Sequence, residues 1–251
     1  VRYGLSAGRV QSPALRIIME REREIRNFKP EDFWVITANL SNKASVEMPF
    51  VCNEEPKTAT EAERIVEKGK SGKWKIVDIT ETEVKRSPRP PFITSTLQQA
   101  ASSRLGFSPS RTMGIAQKLY EAGHITYMRT DSTNLAQSAI GQIRNVVENK
   151  YGAGLFQVRL FSKKAKNAQE AHEAIRPTHF DKEFLGHTDE QKKLYNLIWS
   201  RAVASQMKDA TLLRTKIEAN IENSDIPNFS SNGQRVLSEG WLKADPRARG
   251  E

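Results

Sequence analysis

Ser87-Pro88-Arg89-Pro90-Pro91 constrains this chain more than any other stretch. Proline has no amide hydrogen, and its ring blocks the turn before it, so the segment can neither continue a β-ladder nor enter a helix interior. The chain must therefore build one structure before it and another after it, and a domain junction is placed here.

Ahead of the break the patterns are mostly those of strands. A helix comes first, over residues 12 to 28. Ser12 is its expected N-cap and Pro13 its first helical residue. Leu15, Ile18, Met19 and Ile25 recur at helical spacing, and Glu22 and Arg26 are four apart and able to pair. Phe33 to Leu40 and Ala44 to Val51 are rich in β-branched and aromatic residues and predict strands. Thr60-Glu61-Ala62-Glu63 reads as a capping box for a short helix through Glu67. Trp74 to Val84 alternates apolar and polar residues, as a half-buried strand does.

Helices dominate after the break. Thr94 to Leu105 is one, stopped by Gly106, and Ser108-Pro109 opens another that runs through Tyr120 to Gly123. Such a pair has the form of a helix-turn-helix, but pairs like it are also common as plain packing units, the reading preferred here. His124 to Thr130 reads as a short strand, followed by a helix from Ser132 to Asn149. Residues 151 to 170 are loop-like and basic. Thr188-Asp189-Glu190-Gln191 is a second capping box, opening a helix to about Asp209. Thr211 to Asn223 alternates as a strand again, and Val236 to Leu242 is a candidate for another. If these late strands rejoin the early sheet, the helical part is an insertion.

Composition narrows the function classes. The chain has 251 residues, 37% hydrophobic and 27% charged, which suits one large domain or two ordinary ones. Its net charge of +9 favours a polyanionic partner, because Lys and Arg gain by releasing counterions from phosphates. Cys52 is the only cysteine, which excludes an internal disulfide and any cysteine-rich zinc site. No apolar run approaches a spanning length and no leader pattern is present, so a cytoplasmic protein without a membrane partner is expected.

Ile125-Thr126-Tyr127-Met128-Arg129-Thr130-Asp131-Ser132 carries the most chemistry. In a strand, residues two apart face one side, which places Tyr127 beside Arg129. A helix beginning directly afterwards would add N–H groups that favour phosphate. A phenol titrates near 10 and is a poor nucleophile at neutral pH. A neighbouring guanidinium favours the phenolate, holds phosphate oxygens and stabilises developing charge. The composite suits phosphoryl transfer through a covalent phosphotyrosine. Tyr-x-Arg alone is more often the mark of a packed core tyrosine with a satisfied hydroxyl, and Asp131 and Ser132 are most simply helix caps.

The same stretch resembles the active-site signature of type IA DNA topoisomerases. Three further segments resemble that family in the same order: Ser6-Ala7-Gly8-Arg9-Val10-Gln11-Ser12-Pro13-Ala14-Leu15, Pro91-Phe92-Ile93-Thr94-Ser95-Thr96-Leu97-Gln98, and Ala168-Gln169-Glu170-Ala171-His172-Glu173-Ala174-Ile175-Arg176-Pro177-Thr178. The wording is most similar to the bacterial topoisomerase I branch; topoisomerase III and reverse gyrase share much of it. His124 stands where the family has a large, usually apolar residue.

The resemblance implies an α+β, multidomain fold: a β-rich arch with an inserted, mainly helical domain carrying the active-site tyrosine. Residues 1–29 would be a helical segment of a single-strand-binding domain and 30–87 the first part of the arch. Residues 88–210 would be the helical tyrosine domain, and 211–251 the return into the arch. Tyr127 becomes the nucleophile, linked to the 5′ phosphate of the cut strand, and Arg129 the cation that positions that phosphate. Ser6, Arg9, Gln11, His172 and Arg176 become DNA contacts. A buried, hydrogen-bonded structural histidine is the other reading of His172. The family's magnesium is bound by acidic residues of a toprim domain, expected outside this chain, and no metal site is expected within it. The implied partners are single-stranded and underwound DNA and the remaining domains of one polypeptide, acting as a monomer. This chain is then a central fragment, unable to relax supercoils alone. A non-catalytic DNA-binding module is the alternative that charge and paired helices leave open.

Overall fold

The computed structural model describes residues 8–161 and 173–250. Two compact units divide the chain: Val1–Thr80 with Lys216–Asn232, and Glu81–Thr215 with Gly233–Glu251. The architecture is mixed, with six α-helices and one five-stranded sheet among the described residues. The sheet order is β1-β2-β5-β4-β3, where β1 is Thr37–Ser41, β2 Glu47–Cys52, β3 Trp74–Arg86, β4 Ala210–Ile221 and β5 Phe229–Ser238. The late strands therefore rejoin the sheet of the early ones. β1 pairs antiparallel with β2, Asn39 opposite Pro49, and β2 pairs antiparallel with β5 through Val51 and Ser230.

In the first unit, α1 (Gln11–Asn27) starts one residue before the expected cap. Val10 takes the N-cap position with no side-chain hydrogen bond, so Ser12 is not the cap. Its apolar edge is exposed, and no residue of the helix is buried. Glu22 and Arg26 do pair, at 3.0 Å. Both strands begin later than expected; ahead of β2, Asn42 spends its side-chain oxygen on the amides of Ala44 and Val46 and closes a turn there. α2 (Ala59–Ser71) is capped by Thr58, whose hydroxyl accepts from the Glu61 amide. The expected box at Thr60 is thus displaced by an equivalent Thr-x-x-Glu two residues earlier. The core joins Phe50, Cys52, Ile65, Ile221, Ile226 and Phe229, with Trp74 edge-on to Phe229 at 5.0 Å. The alternation of β3 does not produce a buried face: Ile76, Val77 and Ile79 are exposed on this edge strand.

In the second unit, α3 (Thr94–Leu105), α4 (Pro109–Glu121) and α5 (Gln137–Lys150) pack with α6 (Asp189–Ser205). Sequence and structure agree on α3, which ends at Gly106 with φ +69°, and on the Ser108 cap of α4. The Thr188–Gln191 capping box forms as expected. α6 stops at Ser205, short of Asp209, because Gln206 turns out of the helix and receives Arg159. Leu194, Tyr195, Ile198, Trp199 and Ala202 of α6 are buried, as suits a helix apolar on most sides. Trp241 and Leu242 complete this core from a 3-10 turn, Gly240–Lys243, where a strand was anticipated.

Gly240 explains that turn. Its φ is +48°, and a Cβ there would stand 2.2 Å from the Asp209 carbonyl oxygen. Both the conformation and the close approach need glycine. We expect Gly240→Ala to cost about 1–3 kcal/mol in urea unfolding. A change below about 0.5 kcal/mol would mean that the backbone yields freely here.

Candidate active site around Tyr127

The tyrosine segment is not a strand. Between His124 and Thr130 the described chain makes a single β-bridge, Ile125 to Pro177, and otherwise runs as an irregular loop. The helix expected at Ser132 begins at Gln137. Asp131 and Ser132 are accordingly not its caps; Ser132 instead accepts from Asn134 within a local turn.

Side-chain and backbone hydrogen bonds replace the ladder. The Thr94 hydroxyl, at the first turn of α3, lies 2.8 Å from the Met128 carbonyl and 3.0 Å from that of Thr130, and accepts from the Thr130 amide at 2.9 Å. The Thr94 amide donates to the Thr130 carbonyl at 3.0 Å. On the other side, the Thr126 amide donates to the Arg176 carbonyl at 2.9 Å, and the Thr126 hydroxyl to that of Ala174 at 2.7 Å. Ile175 donates to the Phe92 carbonyl, which ties in the third segment. Three of the stretches singled out from sequence, 92–98, 125–132 and the described end of 168–178, therefore meet in one place.

Burial alternates along the clamped loop. Ile125, Met128 and Thr130 are buried, whereas Tyr127 and Arg129 are exposed. Tyr127 retains 46% of its surface. Its ring meets that of Tyr120, near the end of α4, edge-on at 5.4 Å and 68°. Among the described residues Arg129 makes no hydrogen bond or ion pair, so its guanidinium is available to an anion.

The phosphate-favouring helix start is altered. Glu173 places one carboxylate oxygen 2.7 Å from the Ala136 amide, just before α5, and a negative charge already satisfies this end. The same carboxylate holds Arg176 at 2.7 Å, while Arg176 also donates to the Pro177 carbonyl at 2.8 Å. Arg176 is thus engaged internally. Glu173, Thr94, Thr126 and Tyr120 were missed as individual site residues by sequence reasoning. The first three lie within quoted motifs, but only the folded geometry shows what their side chains hold. His124 is half-buried and edge-on to Tyr195, whose phenol burial and the nearby Asp181 push above the usual range and which donates to the His179 carbonyl.

Arg9 and Gln11 belong to the first unit, where Gln11 accepts from the Gly8 amide at 2.8 Å. Ser6 and His172 lie outside the described residues. Among the described residues no group of three or more His, Cys, Asp or Glu side chains is placed to hold a metal ion. A groove of about 680 Å³ between α5 and residues 179–183, lined by Gln142, Asn145, Asn149, His179 and Trp199, includes none of the residues singled out from sequence. The chemistry is read from the exposed phenol and guanidinium, not from that groove.

Comparison with known proteins gives the arrangement its context. A family model described as DNA topoisomerase matches residues 1–251. The chain is 42% identical to DNA topoisomerase 1 of Xylella fastidiosa over 96% of its own length and 33% of that protein. For DNA topoisomerase 1 of Pseudomonas aeruginosa the figures are 40%, 98% and 29%, and for that of Aquifex aeolicus 39%, 97% and 45%. Full-length topoisomerase I from Thermotoga maritima superposes with a TM-score of 0.76 at 33% identity, over 96% of this chain and 40% of that one. The chain thus spans about a third of the length of the first of these relatives.

Proposed function

The chain belongs to the DNA topoisomerase family, in its bacterial topoisomerase I branch, and from that membership we propose that Tyr127 is the residue through which one DNA strand is cut and resealed. The observation that carries this reading is a solvent-facing phenol two residues from an exposed guanidinium, on a loop clamped from both sides. The phenol oxygen attacks a backbone phosphorus, its proton passes to solvent or a base, and the 3′ oxygen leaves as a hydroxyl. The cut strand keeps its 5′ phosphate as a tyrosine ester, which stores the energy of the broken bond. Arg129 holds the non-bridging oxygens and stabilises the charge that gathers on them. A second strand passes, the 3′ hydroxyl attacks the ester, and negative supercoils relax without ATP.

On this reading residues 88–210 are the helical tyrosine domain, 30–87 and 211–251 belong to a β-rich arch, and 1–29 to a single-strand-binding domain. Ser6, Arg9, Gln11 and His172 contact the bound strand. Arg176 reaches DNA only by giving up a partner, and otherwise holds the 173–178 segment in place. Magnesium is bound by acidic residues of a toprim domain elsewhere in the polypeptide, which acts as a monomer in the cytoplasm. No helix among the described residues is long and apolar enough to cross a membrane.

The test is a denaturing trap. A full-length topoisomerase carrying this chain, mixed with a single-stranded oligonucleotide and stopped with detergent, should yield a peptide–DNA adduct that maps to Tyr127. An adduct on another residue, or one linked through a 3′ phosphate, overturns the assignment. Residues 1–251 alone are expected to bind DNA weakly and to relax no supercoils. Robust magnesium-dependent relaxation by that purified chain would contradict the placement of the metal acids elsewhere.

A further inference from the structure

We infer that Tyr120 is a positioning residue for the nucleophile: its ring, fixed on α4, sets the direction of the Tyr127 phenol. The inference rests on the proposed role of Tyr127 and adds to it.

Tyr127 lacks the usual supports of a tyrosine. It belongs to no strand, its neighbours Met128 and Thr130 point inward, and nearly half its surface is open. The backbone clamp from Thr94 and Thr126 fixes where the Cα lies, but does not select a rotamer for an exposed ring. Among the described residues, the aromatic contact made by Tyr127 is with Tyr120. The centroid distance of 5.4 Å and the angle of 68° lie within the favourable edge-to-face range. Tyr120 is well anchored to do this. It sits in the last turn of α4, directly after Leu119, which is 1% exposed in the core. The two rings thus connect a rigid helix to a phenol that must meet a phosphorus in line.

Tyr120 is itself 41% exposed, so the pair is not sealed from solvent. An exposed aromatic ring beside a nucleic-acid site has a second use, as a platform on which a base stacks. The two roles differ in what they change. A positioning ring acts on the rate of the cutting step once DNA is bound. A stacking platform acts on the affinity for the strand.

The experiment uses full-length topoisomerase carrying this chain, with Tyr120→Leu, Tyr120→Phe and Tyr127→Phe variants. Oligonucleotide affinity and the single-turnover rate of adduct formation at saturating DNA are measured separately. Tyr120→Leu is expected to slow adduct formation about three- to tenfold, the range an edge-to-face contact is worth. Its DNA affinity and melting temperature should stay near those of the parent, and Tyr120→Phe, which keeps the ring, should restore the rate. An unchanged rate in Tyr120→Leu overturns the inference, as does a loss confined to affinity, which assigns the ring to base stacking. A Phe variant as slow as the Leu variant overturns it too, because the hydroxyl would then be the active part. Tyr127→Phe separates the two levels of failure. If it still forms adduct, the reading of Tyr127 is wrong; if it forms none while Tyr120→Leu is unimpaired, only the positioning role is lost.

Discussion

Tyr127→Phe should abolish covalent adduct on a single-stranded oligonucleotide, lowering cutting by at least roughly three orders of magnitude. The substitution removes one oxygen and leaves the ring. The edge-on contact with Tyr120 depends on the ring and should survive. With 46% of the side chain in solvent, little packing is at stake, and the melting temperature should move by no more than about 2 °C. Loss of chemistry without loss of fold or DNA affinity is therefore the expected pattern. Adduct formation by the Phe variant at even a hundredth of the parental rate would show that another nucleophile is in use. A broad fall in stability would instead show that the hydroxyl has a structural partner that its exposure conceals.

The second large effect concerns stability and lies in the C-terminal part of the second unit. Asp245 is 3% exposed, yet it is an acid. It accepts from Arg104 at 2.8 and 3.1 Å, and Arg201 stands 3.9 Å away. The Arg104 and Arg201 side chains are themselves almost wholly buried. Arg201 also lies over the Phe92 ring at 4.3 Å, directly beside the segment that clamps the tyrosine loop. Asp245→Ala removes a buried carboxylate from a poorly solvated site that two guanidinium groups face. Removing one partner of such a group is expected to cost about 3–5 kcal/mol. In a chain of this size that lowers the melting temperature by on the order of 10 °C. Calorimetry or urea unfolding of the purified protein checks it. A loss below about 1 kcal/mol would mean that water reaches the site and takes over from the carboxylate.

Legibility followed the range of the interactions involved. Gly106 ended α3, Ser108 capped α4 and the Thr188–Gln191 box opened α6 as read, because each signal is complete within four residues. The Thr60 box failed because Thr58 offers the same chemistry nearby, and the deciding contact, Glu61 to Thr58, is one of two local solutions. The alternating β3 did not bury a face, since an edge position left its apolar residues without a covering layer. At the candidate site the residue types were readable, and the exposure expected of both residues is found on an irregular loop rather than on a strand. Tyr127 and Arg129 are each exposed on a backbone pinned by a threonine from α3 and by the 173–178 segment, with no strand to alternate them.

Periodicity, caps, turn residues and motif wording are properties of neighbouring residues, and from them alone came most of the helices of the second unit, the strand after α6 and the choice of the tyrosine with its arginine, while the last strand lies earlier than read, at Phe229–Ser238. Contacts between distant residues settled the remainder. The insertion of β5 and β4 between β2 and β3, the start of α5 under the Glu173 carboxylate, the Tyr120 ring against Tyr127 and the buried Asp245 each join groups far apart along the chain. Such contacts form only when burial of apolar surface offsets the entropy of bringing them together, and no short window of residues records where that balance falls.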